Sequence, residues 1–170
     1  MGLQNFDKIL TWSDFPNQVA PGKPEDASIS VIWRLDANQY ERKGNAIVIG
    51  TYSVEIVLVD RFCAVVKAVA NGDKAVADAL LKHEQGHYDI IALGAREFYK
   101  KLMGLSAPTE NELDQKREKI DAELTKKADE VDERYDKVTE HSKNAAVQAI
   151  WNKKIDAAKK NPNGTVADLL

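Results

Sequence analysis

The stretch "KAVADALLKHEQGHYDIIALGAREFYKKL", Lys74 to Leu102, decides how the chain is read. Val76, Leu80, His83, His87, Ile91, Gly94 and Phe98 advance by three or four residues, the spacing of one face of an α-helix. That spacing predicts a long helix with both histidines on its inward stripe. His83 and His87 stand four apart, so their rings stack one turn above the other and can reach one ion. Glu84 follows the first histidine, about 100° round the helix, where a carboxylate can address a water at the ion without occupying a ligand position. The bland alternative is a helix whose two histidines are satisfied by polar neighbours. Unpaired imidazoles on a buried stripe are costly, which favours the metal reading. Gly86, inside the pattern, costs about 1 kcal/mol relative to alanine in a helix. Something is therefore expected to approach the backbone closely there.

The rest of the chain divides around this helix. Residues 1 to about 72 have β character. In "SISVIWRLD", Ile29, Val31, Trp33 and Leu35 alternate with Ser30, Ile32, Arg34 and Asp36. "NAIVIGTYSVEIVLVDRFCAVVKAVA" is rich in β-branched residues and predicts one or two more strands, with a bend or bulge at Gly50. "DANQYERKGN" is expected to be a polar turn, and "FPNQVAPGKPED", with three of the five prolines, a loop. Beyond the active stretch, "MGLSAP" ends the helix. Thr109 and Glu112 form a capping box opening a second long helix, with Leu113, Ile120, Leu124, Val131, Tyr135 and Val138 on one face. A third, "KNAAVQAIWNKKIDAAKK", groups Val147, Ile150, Trp151 and Ile155, and Ser142 is a candidate N-cap. Residues 161–170 are expected to be a tail. The expected fold class is α+β: one domain over residues 1–170, with a small N-terminal antiparallel sheet (1–72), then the active-site helix and two further long helices (73–160).

Composition narrows the function. The 170 residues are 44% hydrophobic, with a formal net charge of −3 from 24 basic and 27 acidic side chains. That balance argues against nucleic acid as a partner, which calls for a basic bias. The longest apolar stretch, Ala46 to Ala70, is interrupted by Glu55, Asp60, Arg61 and Lys67, so no membrane span is expected. The single cysteine, Cys63, rules out an intramolecular disulfide and a multi-cysteine zinc site.

A catalytic zinc needs a third protein ligand. A histidine six residues after His87 would make one class of zincin, but position 93 is Leu. Glu97 lies about 15 Å along the same helix and cannot reach. Glu110, Glu112 and Glu118 remain possible, yet they begin the second helix far from the site, where Leu124 is expected to stand level with His87. The other candidate is His141, the only remaining histidine, in "RYDKVTEHSKNAAVQAIWNKKI". The expected metal set is therefore His83, His87 and His141, holding Zn2+. Glu84 is the expected general base. Tyr135 is the candidate for stabilising an oxyanion, with a core role as its rival. Asp136 is either an orienting partner of a ligand histidine or a surface carboxylate. Asp89, about 200° from His87, is expected to pair with another element.

The sequence resembles a family of bacterial predicted secreted Zn-dependent proteases, zincin-like domains of unknown function. The resemblance rests on "LTWSDF", "LLKHEQGHYDI" and "YDKVTEHSKNAAVQAIWNKKI", landmarks from Leu10 to Ile155. It implies an HExxH metallopeptidase acting on a peptide or protein substrate, and a periplasmic or secreted location. The N-terminus "MGLQNFDKIL" has no export signal pattern. The competing function is a zinc-bearing structural or interaction domain without catalysis. Retention of Glu84 argues against it.

Overall fold

Asp73 opens the long helix by accepting from the backbone N–H groups of Ala75 and Val76, which satisfies two donors no carbonyl in the helix can reach. The computed structural model describes residues 2–20, 23, 25–37 and 39–170. Its elements in chain order are β1 (Gly2–Gln4), β2 (Asn17–Gln18), β3 (Ala27–Ser28), β4 (Val31–Ala37), β5 (Tyr40–Lys43), β6 (Ala46–Ile49), β7 (Tyr52–Leu58), β8 (Ala64–Val65), α1 (Lys67–Ala70), α2 (Lys74–Met103), β9 (Ser106–Ala107), α3 (Glu110–Thr139) and α4 (Ala145–Lys160). The architecture is α+β, with small sheets and long helices.

The strands form three three-stranded sheets, ordered β1-β7-β4, β2-β8-β3 and β5-β6-β9. The antiparallel pair β4 and β7 runs from Val31 opposite Leu58 to Ala37 opposite Tyr52. Its alternation buries Val54 and Ile56 against α2. Two of the sheets are mixed rather than antiparallel, because β1 joins β7 and β2 joins β8 in parallel; β5-β6-β9 is antiparallel throughout. The stretch expected as a polar turn holds β5, which hairpins onto β6. Gly44, at φ +62°, and Asn45 make the reversal. Glu41 is half-buried while Tyr40, Arg42 and Lys43 are exposed, so no apolar alternation marks the strand. Asn17 and Gln18 form a short strand inside the expected loop. Pro21, Gly22, Pro24 and Asn38 of the two expected loops lie outside the described residues.

Helix α2 is the axis of the molecule. Its stripe holds from Leu80 to Phe98, but Val76 is 56% exposed. From His83 to Arg96 every residue is buried except half-buried His87, so the helix is enclosed all round rather than on one face. The sheets cover one side; α3 and α4 cover the other. Glycines permit two of these approaches. The Trp33 ring lies where a Cβ on Gly94 would come within 2.9 Å of it. A Cβ on Gly86 would overlap the Tyr135 hydroxyl, so Tyr135 is the close neighbour that Gly86 implied. The "LTWSDF" landmark pins the N-terminal segment over α2: Leu10 N–H donates to Gln85 Oε1 at 2.8 Å, and Leu10 and Phe15 are buried.

Residues 161–170 are not a tail. Val166 and Leu169 are fully buried beside Ile90, Leu93 and Ile155. Arg96 holds this segment in place. Its guanidinium donates to the carbonyls of Ala158, Lys159 and Gly164 at 2.8, 3.0 and 2.6 Å, and lies over the Phe6 ring. Two of these carbonyls are at the C-terminal end of α4, where no N–H follows to satisfy them. Arg96→Met is expected to leave them buried and unpaired, lowering stability by about 2–4 kcal/mol. Urea denaturation checks this through a lower midpoint at unchanged slope.

Candidate metal centre

The two histidines of α2 meet the C-terminal third of α3. The helices run antiparallel, and Asp132 stands beside His87 and Asp136 beside His83. The connection between them includes β9, which pairs with β6 before α3 begins. This offset displaces the register, so Asp132, not Leu124, is level with His87.

The ring nitrogens are sorted by their partners. His83 Nδ1 lies 3.0 Å from Gln148 Oε1, and His87 Nδ1 lies 2.7 Å from Asp132 Oδ1. Both partners accept, so both Nδ1 atoms carry a proton, and each Nε2 is the nitrogen that can serve an ion once it is deprotonated. The two Nε2 atoms face each other at 3.2 Å. Asp136 Oδ1 completes a triangle, 3.2 Å from His83 Nε2 and 3.7 Å from His87 Nε2. Ligands about 2.0–2.1 Å from a tetrahedral ion are about 3.3–3.4 Å from one another. Three acceptors converging at that spacing are favourable only round a cation or a proton. His83, His87 and Asp136 could therefore hold a metal ion.

Electrostatics agree with the geometry. Burial opposes a charge on His87, but the hydrogen bond and charge of Asp132, with Asp136, outweigh it and push its pKa up to about 10. Burial also opposes the Asp136 carboxylate, yet His83, His87 and His141 hold it well below the usual carboxylate range. Burial pushes Glu84 up. Its Oε2 is buried without a hydrogen-bond partner, an orphan that a native structure tolerates where something binds. A cation beside it fits this set.

The candidate residues separate accordingly. His83, Glu84, His87 and His141 all line one cleft of about 260 Å³, together with Asp132, Asp136, Leu80 and residues 25–29. His141 is not in the triangle; its Nδ1 lies 2.8 Å from Asp136 Oδ1, so it braces the third donor. Glu110, Glu112 and Glu118 stay in the opening turns of α3, outside the cleft. Tyr135 does not line the cleft either. It is fully buried, stacks on His83, donates to the His83 carbonyl at 3.0 Å and accepts from Gln148 Nε2 at 2.6 Å. It positions the ligand helix. Asp89 points the other way and pairs with Lys159 at 2.7 Å.

His141 reaches Asp136 through an unusual turn. Glu140, His141 and Ser142 have φ of +52°, +50° and +72°, three consecutive left-handed residues without a glycine. His141 N–H and Asn144 N–H donate back to Asp136 O and Thr139 O. Asn144, not Ser142, caps α4, accepting from Val147 N–H. Asp132 and Gln148 were missed as orienting groups. The signal for Asp132 was its four-residue spacing from Asp136, which mirrors His83 and His87 across two antiparallel helices. Gln148 offered only its place in a landmark motif.

No curated protein and no solved structure matches the chain. A family described as "Bacterial protein of unknown function (DUF922)" matches residues 21–143, a span that holds the triangle of His83, His87 and Asp136, Glu84, and His141 on its left-handed turn. The chain belongs to that bacterial family.

Proposed function

We propose that the chain is a zinc-dependent hydrolase of peptide bonds, with the ion held by His83, His87 and Asp136. The observation that carries this reading is the Glu84 carboxylate, buried with one oxygen unpartnered beside three convergent donors. A structural metal site has no use for such a group. Zinc would supply Lewis acidity, lowering the pKa of a water and polarising a carbonyl. Glu84 takes the proton from the attacking water and passes it to the leaving amine. Burial, by raising its pKa, makes it a stronger base. Asp132 and Gln148 fix the two ring orientations, and His141 fixes Asp136.

An extended substrate entering the cleft would meet β3. Val66 N–H donates to the Asp26 carbonyl, so Asp26 and Ser28 face β8. By the alternation of the ladder, Ala27 directs its main-chain groups to the opposite edge of β3, which borders the cleft.

The test is zinc content and hydrolysis together. Protein purified without added metal is expected to take up one equivalent of zinc. It should cleave a denatured protein substrate in a manner abolished by a chelator and restored by zinc. A folded protein that takes up no zinc removes the metal reading. Zinc uptake with no cleavage leaves a non-catalytic zinc domain.

Metal uptake is expected to release a proton. In metal-free protein His87 stays charged up to about pH 10, and the stability this gives is complete below the ordinary histidine pKa of about 6.5 and lost as pH rises toward 10. Zinc must displace that proton, so affinity rises with pH by about tenfold per unit at neutral pH. Calorimetry in buffers of different ionisation heat should count about one proton released per ion; none released would contradict it.

A further inference from the structure

Val76 is where the apolar stripe of α2 runs out of protein. It is 56% exposed, while Leu80, the next residue on the stripe, is 4% exposed. Val69 on α1 and Ala75, Val76, Ala79 and Leu80 on α2 line a groove of about 370 Å³, together with Asp26, Ser142 of the left-handed turn and Lys143 after it. Leu80 and Asp26 belong both to this groove and to the metal cleft. The two therefore adjoin at Asp26 and Leu80.

We infer that this groove is a specificity subsite that receives a bulky apolar side chain of the peptide substrate, next to the scissile bond. The inference rests on the hydrolase reading for its catalytic half, but the groove itself stands on the lining residues. The chemistry of the occupant follows from the walls. Five of the eight lining residues are aliphatic, and the exposed valine gains by removal from water. The shared lining residues place the occupant beside the metal cleft, as part of the same molecule as the group at the metal. A chain lying along the cleft side of β3 would pass Asp26 and Leu80, and one of its side chains would turn into the groove as alternate side chains of an added strand do. The volume is at the lower end of the range for ligand pockets, about 300–1,000 Å³. It suits leucine, isoleucine, phenylalanine or methionine and leaves a small side chain without contacts.

The experiment has two arms. In the first, methyl resonances of metal-free and zinc-loaded protein are followed on titration with N-acetyl-leucine amide and with N-acetyl-glycine amide. The leucine probe is expected to shift the methyls of Val69, Val76 and Leu80, and the glycine probe to leave them in place. Ala79→Phe fills the groove from an exposed helix position, so the fold is retained. It is expected to weaken the leucine probe at least tenfold with zinc uptake unchanged. Val76→Asp should act in the same direction by charging the wall. In the second arm, cleavage sites in a denatured protein substrate are mapped by mass spectrometry. Leucine, isoleucine, phenylalanine or methionine should dominate one position flanking the cut, and Ala79→Phe should erase that preference. Leucine-probe shifts without any cleavage would support the subsite and remove the hydrolase reading. Cleavage without apolar preference, or probe shifts outside the groove, would overturn the subsite. So would concentration-dependent dimerisation that Ala79→Phe abolishes, since the groove would then be covered by a second copy.

Discussion

Glu84→Gln is expected to lower hydrolysis at least about 10²-fold, the scale of a lost general base, while the protein still takes up one zinc. The side chain keeps its size, and the amide can occupy the same buried space beside His83 and His87. Only the ability to accept a proton is removed. Loss of charge also relieves a buried carboxylate whose ionised form burial disfavours, so stability should not fall. The measurement is the rate on a denatured protein substrate alongside zinc content and the thermal midpoint. Unchanged turnover would move the base elsewhere in the cleft, with Asp132 next in line. Unchanged stability with lost zinc would make Glu84 a ligand instead.

Asp136→Asn is expected to weaken zinc binding by at least about 10²-fold, because it removes the only charged donor of the triangle. His141→Ala should weaken it by about tenfold, the lower end of what a group supporting a ligand contributes. Glu112→Gln and Glu118→Gln should change nothing. Competition with a chromogenic chelator ranks all four variants. A larger loss in His141→Ala than in Asp136→Asn would restore a three-histidine site and require the left-handed turn to rearrange on metal binding.

The helix that carries the site was legible because its pattern is local. Three or four residues separate each member of the stripe, and His83, Glu84 and His87 need no other element to define their arrangement. Gly86 announced a close neighbour by its cost in a helix, although nothing local could name it as Tyr135. The third donor was not legible in the same way. Choosing between His141 and Asp136 requires the register of α3 on α2, and that register is shifted by β9, a two-residue strand with no sequence signature of its own. Tyr135 shared the inward face of α3 and so looked available to substrate. Its hydroxyl is instead taken up by the His83 carbonyl and Gln148. The C-terminal segment was misjudged because its polar run "NPNG" hid Val166 and Leu169, two apolar residues too few to form a pattern yet fully buried.

The left-handed turn at Glu140, His141 and Ser142 makes the site mechanically loaded. Right-handed backbone is favoured for each of these side chains by about 1–2 kcal/mol, so the turn persists only while its neighbours hold it. What holds it is α4, clamped by Gln148 against Tyr135 and by Trp151 packed on the same ring. Were α4 to lift, the turn would relax, and His141 would leave Asp136 in the same movement that takes Gln148 from His83. The centre thus has a hinge side and a fixed side. His87 with Asp132 belongs wholly to the α2–α3 pair, while the braces on His83 and Asp136 come from α4 and from the turn that leads into it. An ion held by this triangle would in this sense be gripped by a tension carried through the whole second half of the chain.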